Sequence, residues 1–254
     1  TNYGALVTVG GTLTIASNAW VYPVSHRQDG GSPRFRTEQM TIEAGGGFDA
    51  TKRGFGSGNT SMANGYGPGA GIKGFTYGYG AGGGYGGRGG DGYPGSGTGG
   101  VTYGTSNVFA DAGSGASASS SGPGGYGGGL VRLEVNDTLT LRGALVANGE
   151  NYPYPFTGGE FIGCGGAGGG INVECYRLVG SGGRLRANGG YASPNGGPGG
   201  GGRIGVWRAF DQSSGLTTSV DPGSGYTAAG AAATGTVYWG AMPIREQAIL
   251  VQLF

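Results

Sequence analysis

Two cysteines and a single histidine occur in 254 residues. That scarcity removes the usual protein ligands for zinc, and neither an H-E-x-x-H run nor an EF-hand loop is present. Charged side chains make up 11% of the chain, 15 basic against 14 acidic, for a formal net charge of +1. So even a balance leaves no electrostatic footprint for nucleic acid or for an anionic membrane. No apolar run reaches the length of a membrane-spanning helix, and no signal peptide is visible. No serine stands in a G-x-S-x-G elbow with a usable set of partners, and the single His26 lies in a polar loop. No metal, no cofactor and no nucleic-acid partner are therefore expected. Beginning on Thr1, close to a strand, the chain is expected to be a processed product or a fragment.

Glycine is what the chain has in excess, at 67 residues. It lacks the strict every-third placement and the proline content of collagen. The many G-x-G-x-x-G matches follow from that abundance and lack the flanking strand, helix and distal acid of a phosphate cradle. Apolar residues, 36% of the total, collect in short alternating runs. Alternation of this kind predicts half-buried strands, and the β-branched and glycine content of the same windows speaks against helices.

One pattern is written almost twice over residues 137–207. DTLTLRGALVANGE leads through a loop to GGAGGGINVEC, and YRLVGSGGRLRANGG leads through a shorter loop to GGPGGGGRIGVW. Ala147-Asn148-Gly149 recurs as Ala187-Asn188-Gly189, and Gly168 to Ile171 as Gly201 to Ile204. Leu139, Leu141, Leu145, Ala147, Ile171, Val173, Leu185, Ala187, Ile204 and Val206 form the expected inward rows. Repeats of this length cannot bury a face alone and normally stack. The expected fold is all-β, a parallel β-helix (β-solenoid) forming one domain over 1–254, with its clearest repeats at 130–210. Recurrent Asn-Gly would supply a positive-φ position at the coil corners. A diverged copy over 35–55 places Phe48 with Leu145 and Leu185. Gly10-Gly11 reads as a hairpin turn or a coil corner, 107–112 as a further short rung, and 113–121 as an exposed loop.

Residues 54–129 form a glycine/tyrosine-rich insertion. Runs such as GYGAGGGYGGRGGDGYPGSGTGG read either as low-complexity disorder or as polyglycine-II-like segments packed side by side; recurrence of the same kind of run in every unit favours order. Cys164 and Cys175 flank a polyglycine run and are expected to close a small loop as a disulfide in an oxidising compartment. Asn59 and Asn136 stand in glycosylation sequons. The carboxylates Glu134, Asp137, Glu150, Glu160, Glu174 and Asp49 are the candidates for a hydrolytic pair, with Glu134 and Glu174 at matching strand positions; solvation of an outward row explains them as well, and no catalytic residue is assigned. Arg142, Arg184, Arg186 and Arg203 read as an exposed basic row. Ligand-binding candidates are aromatic: Tyr152, Tyr154 and Phe156 in a long loop, with Tyr85 and Tyr93 among the glycines. Such rings can stack on sugars or on a neighbouring protein surface, or simply cover a glycine layer.

The run GGPGGGGRIGVW with the preceding RLRANGG resembles the glycine-rich repeat of large cell-surface proteins of bacteria and some protists, commonly described as parallel β-helices. The polyglycine segments are also similar to those of phage tail adhesins. These resemblances imply an exported structural or adhesive module, secreted or on the cell surface, working as a homo-oligomer or filament. Two other readings stand beside it: a carbohydrate-binding or polysaccharide-cleaving β-helix, and a largely disordered glycine/tyrosine-rich material protein. The apolar tail at 248–254 suggests a capping strand or a pairing edge.

Overall fold

The computed structural model describes the chain apart from residues 1–3, 60–62, 75–77, 95, 106–108, 121, 153–162, 226–229 and 244–254. The described residues contain eleven strands and no helix. In chain order these are β1 (Leu6–Ile15), β2 (Trp20–Val21), β3 (Arg34–Ile42), β4 (Gly47–Asp49), β5 (Leu130–Leu141), β6 (Ala144–Val146), β7 (Gly170–Ser181), β8 (Arg184–Arg186), β9 (Arg203–Ser214), β10 (Thr217–Ser219) and β11 (Thr236–Ala241). Odd-numbered strands form one six-stranded sheet in the order β1-β3-β5-β7-β9-β11, and even-numbered strands a five-stranded sheet in the order β2-β4-β6-β8-β10. Every pairing between these strands is parallel. The chain thus passes from a long strand to a short one, returns through a connecting segment that is glycine-rich from the second pass onward, and begins again one strand along.

Alternation decides which side chains fill the space between the sheets. Val131, Leu133, Val135, Leu139 and Leu141 of β5 face the core, joined by Ile171, Val173, Cys175 and Leu178 of β7 and by Ile204 and Val206 of β9. The short sheet and the residues following it contribute Phe48, Ala50, Leu145, Ala147, Leu185 and Ala187. Phe48 pairs with Leu145 and Leu145 with Leu185, so the expected inward column is present, and Ile171 pairs with Ile204 as the sequence offset implied. Burying each such Leu or Phe contributes about 1.5–3 kcal/mol.

Corners differ from expectation. Left-handed backbone occurs at Asn18 (φ 65°), Gly45 (φ 82°), Gly182 (φ 72°) and Gly215 (φ 61°), all between a long strand and the short strand that follows. Neither Gly149 nor Gly189 has a positive φ. These two are glycine because a Cβ would lie 2.0 Å from the Gly166 oxygen or 2.1 Å from the Gly199 oxygen. Gly10-Gly11 is neither hairpin nor corner: β1 runs through it, with a register shift between Val9 and Thr12. Similar shifts fall between Thr37 and Met40 and between Val135 and Thr138, so the first three pairings of the long sheet are irregular at one shared level, while β7–β9 and β9–β11 run without a shift.

A layer made almost wholly of backbone lies beside the sheets. Gly165 and Gly168 donate to the carbonyls of Gly197 and Gly200, which donate to Gly80 and Gly83; Gly83 donates back to Gly165. Between them, Gly166 and Gly169 donate to Glu150 and Ala147, while Ala167 donates to Ser114. Donors three residues apart therefore reach the same neighbour, and intervening donors reach different ones. Residues 113–119, expected as an exposed loop, are buried inside this layer. Their small side chains permit it, and the Ser114 and Ser117 hydroxyls accept the N–H groups of Gly69 and Ala81 at 3.0 and 2.8 Å. Residues 109–112 form no strand; Phe109 instead packs on the outer face of the long sheet against Trp207 and Tyr238.

Candidate functional site

Where the chain leaves the short sheet, the segments after β4, β6 and β8 lie side by side and enclose a groove of about 450 Å³. Thr51 and Lys52 come from the first segment, Asn148 to Tyr152 from the second, and Asn188, Gly189 and Tyr191 from the third. Backbone bonds hold these segments in register: Lys52 N–H donates to Asn148, Gly149 to Asn188, and Tyr152 to Tyr191. Asparagine side chains add a second set. Asn188 N–H donates to Asn148 Oδ1 at 2.9 Å, Tyr191 N–H to Asn151 Oδ1 at 3.0 Å, and Asp221 N–H to Asn188 Oδ1 at 3.0 Å. Each amide oxygen is thereby occupied by the next segment. Since an amide presents its NH2 opposite its oxygen, the orientation of each NH2 is fixed as well. Lys52 Nζ lies 3.5 Å from Glu150 Oε1, and Glu150 Oε2 accepts the Tyr126 N–H at 3.1 Å, so the two charges in the groove offset each other.

Of the aromatic candidates, Tyr152 lines this groove, next to Tyr191, an exposed ring that no motif in the sequence marks. Tyr154 and Phe156 lie outside the described residues. Tyr93 is exposed with its ring 5.4 Å from that of Tyr79. Tyr85 is closed to solvent: its ring lies 4.8 Å from Tyr103 and 5.4 Å from the Arg203 guanidinium, which places it inside the glycine layer. Burial and the nearby Asp111 carboxylate push its phenol upward, and burial does the same to Asp111 against the pull of Arg203. Arg203 is buried rather than part of an exposed basic row, donating to the Tyr103 carbonyl and the Thr236 hydroxyl. Arg142, Arg184 and Arg186 are exposed.

A second surface is the outer face of the long sheet. Glu134 and Glu174 are partners on adjacent strands, followed by Trp207 on the next. Glu134 is engaged by Arg34 at 2.9 Å and by both Nε and Nη2 of Arg36, at 2.9 and 2.7 Å. Glu174 accepts an amide hydrogen bond from Asn172 at 3.1 Å. An acid committed to two guanidinium groups serves the packing of β3 on β5, and nothing about the pair singles out a proton donor for hydrolysis. Glu160 lies outside the described residues. Asn59 is exposed; so is Asn136, which donates to Glu38 at 3.1 Å.

The expected disulfide is absent. Cys164 and Cys175 are both free and buried. The run between them is extended, with its N–H groups committed to other segments, and at about 3.1 Å per residue it spans roughly 30 Å. Cys164 therefore ends in the glycine layer beside Gly80, while Cys175 sits in the core row of β7. Burial pushes both thiols up to about 12. Among the described residues no group of three or more His, Cys, Asp or Glu could hold a metal, and no helix is long and apolar enough to cross a membrane.

Fold and groove together define an all-β protein of two parallel sheets carrying a polar, amide-lined cleft. No protein-family model, curated protein or solved structure matches the chain.

Proposed function

We propose that this chain is a parallel β-solenoid braced by a polyglycine-II-like layer, serving as a structural or adhesive module of a secreted or cell-surface assembly. The observation that carries the reading is the strict chain order of both sheets, in which each pass adds one strand to each sheet at the same end. Stacking of that kind makes a rod whose length grows with the number of passes. The period of three in the glycine hydrogen bonds supports the polyglycine-II description, because an extended threefold helix returns to the same neighbour every third residue. With backbone bonded in several directions, the layer resists bending without needing a wide apolar core.

Association is supported by the sheet edges. Among the described residues β1 and β11 each pair on one side, and they expose Leu6, Val7, Tyr238 and Trp239. An open parallel edge with apolar side chains invites a further strand. The test is light scattering and negative-stain imaging of the purified chain over a wide concentration range. Oligomers or filaments that grow with concentration, and that shrink when Val7→Lys charges the β1 edge, are expected. Monodisperse monomers throughout would overturn the assembly.

A further inference from the structure

The geometry points to the asparagine-lined groove as a binding site for a neutral polysaccharide, lying across the stacked segments so that successive sugar units meet successive asparagines. This deepens the adhesive side of the function proposed above and rests on it.

Three features of the groove carry the inference. First, Asn148, Asn151 and Asn188 present NH2 groups that have no partner among the described residues, while their oxygens are all taken by backbone N–H groups of the following segment. Donors so fixed, and unable to turn round to offer an acceptor, suit ligand oxygens that accept, and the hydroxyl and ring oxygens of a sugar are such atoms. Second, rings stand beside the donors: Tyr152 in the wall and Tyr191, 57% exposed, at the mouth. An aromatic face supplies the apolar surface against which the C–H face of a pyranose packs, and rigid tyrosines do so with little loss of side-chain freedom. Third, the groove carries no net charge, since Lys52 and Glu150 face each other. A site for an acidic glycan or a phosphate would instead gather unpaired cations.

The register gives the ligand its form. Asn148 and Asn188 occupy equivalent positions on neighbouring segments, which are spaced about 4.8 Å apart as adjacent strands are. That step is close to the length of one sugar unit in an extended chain. A linear polymer can therefore place one unit on each segment, whereas a monosaccharide meets one amide and one ring and binds weakly.

The experiment separates this site from the assembly. The full chain is depleted from solution by insoluble cellulose, chitin, xylan and mannan, with pectate as the acidic comparison, and the bound fraction is measured by sedimentation. Binding to at least one neutral polymer is expected. Asn148→Asp and Asn151→Asp keep an oxygen to accept the N–H of Asn188 or Tyr191 but replace the donor with an acceptor, and each is expected to weaken binding about tenfold. Tyr191→Ala, at an exposed ring, is expected to weaken it as well. Unchanged denaturation midpoints and unchanged light scattering show that these variants fold and associate as before. Binding lost in the variants while oligomers persist supports the site; oligomers lost while binding persists would sink the assembly alone. No binding by the wild-type chain to any neutral polymer, binding confined to pectate, or equal binding by both Asn→Asp variants would each overturn the site.

Discussion

Asn148 Oδ1 accepts the backbone N–H of Asn188 at 2.9 Å, and Asn188 Oδ1 in turn accepts that of Asp221 at 3.0 Å. One side chain thus completes the backbone bonding of the segment after it, and that segment repeats the act. Replacing Asn148 with Ala strands a partly buried donor, and a loss of about 1–3 kcal/mol is expected, read as a shift in the urea midpoint. Asn148→Asp keeps the acceptor and is expected to lose far less. Equal losses in the two variants would show that the amide oxygen does not matter.

Leu145 and Leu185 are partners on β6 and β8 and are both buried. Truncating either to Ala is expected to cost about 2–5 kcal/mol. Because the two share one cavity, the double variant should cost less than the sum, with a coupling of about 0.5–3 kcal/mol in a double-mutant cycle. Strict additivity would mean that the two side chains do not meet.

Glycine positions divide by what a methyl group would strike. At Gly166 a Cβ would lie 1.9 Å from the Tyr126 oxygen, and at Gly202 2.1 Å from the Gly169 oxygen. Backbone on both sides cannot give way, so Gly166→Ala and Gly202→Ala are expected to cost about 3 kcal/mol or to prevent folding. Gly10 has nothing within 4 Å and an ordinary φ; Gly10→Ala is expected to be neutral or to stabilise by up to about 1 kcal/mol. Thermal melts of the three variants check the contrast.

Burial pushes both thiols up to about 12 in the fold, from about 8.5 when the chain is unfolded. Between those values the unfolded state has shed protons that the folded state retains. Stability from this source is therefore complete below about pH 8.5 and declines as pH rises toward 12. Urea midpoints should fall from pH 8.5 to 10, and less steeply after Cys164→Ala with Cys175→Ala. A thiol reagent at pH 8 should label neither cysteine until denaturant is added, and rapid labelling of the native chain would contradict their burial.

Amide exchange is expected to be slow at Gly82, Gly83, Gly84, Gly87, Gly89 and Gly90, whose N–H groups all donate to carbonyls of other segments. Exchange at unprotected rates there, by mass spectrometry or NMR, would mean that the glycine layer is not formed in solution.

Much of the sheet structure was legible because side chains wrote it. Alternation at Leu139, Leu141 and Leu145 named the inward rows, and the offset between Ile171 and Ile204 gave the register. The glycine layer was harder to read, since its bonds run between main chains and leave no mark in residue type. Ser114 and Ser117 resemble loop residues in composition yet accept buried N–H groups, and Arg203 resembles a surface residue yet lies over Tyr85. The disulfide failed on distance: a run of glycines suggests slack, and here it is drawn taut by its neighbours. For the groove, Tyr152 was visible as an aromatic in a loop. Asn148 and Asn188 were visible too, but as turn formers, because nothing in an Asn-Gly pair tells whether the amide bonds its own turn or the next segment; Asn151, outside any such pair, carried no signal.

Gly165 and Gly168 reach one neighbour, and Gly166 and Gly169 another. Removing a single glycine from this run would turn every later donor by a third of a revolution and aim it at the wrong chain, whereas removing three would shorten the segment and leave each remaining donor facing its old acceptor. Length changes within the layer should therefore be tolerated in steps of three, a reading frame imposed by geometry on the folded chain.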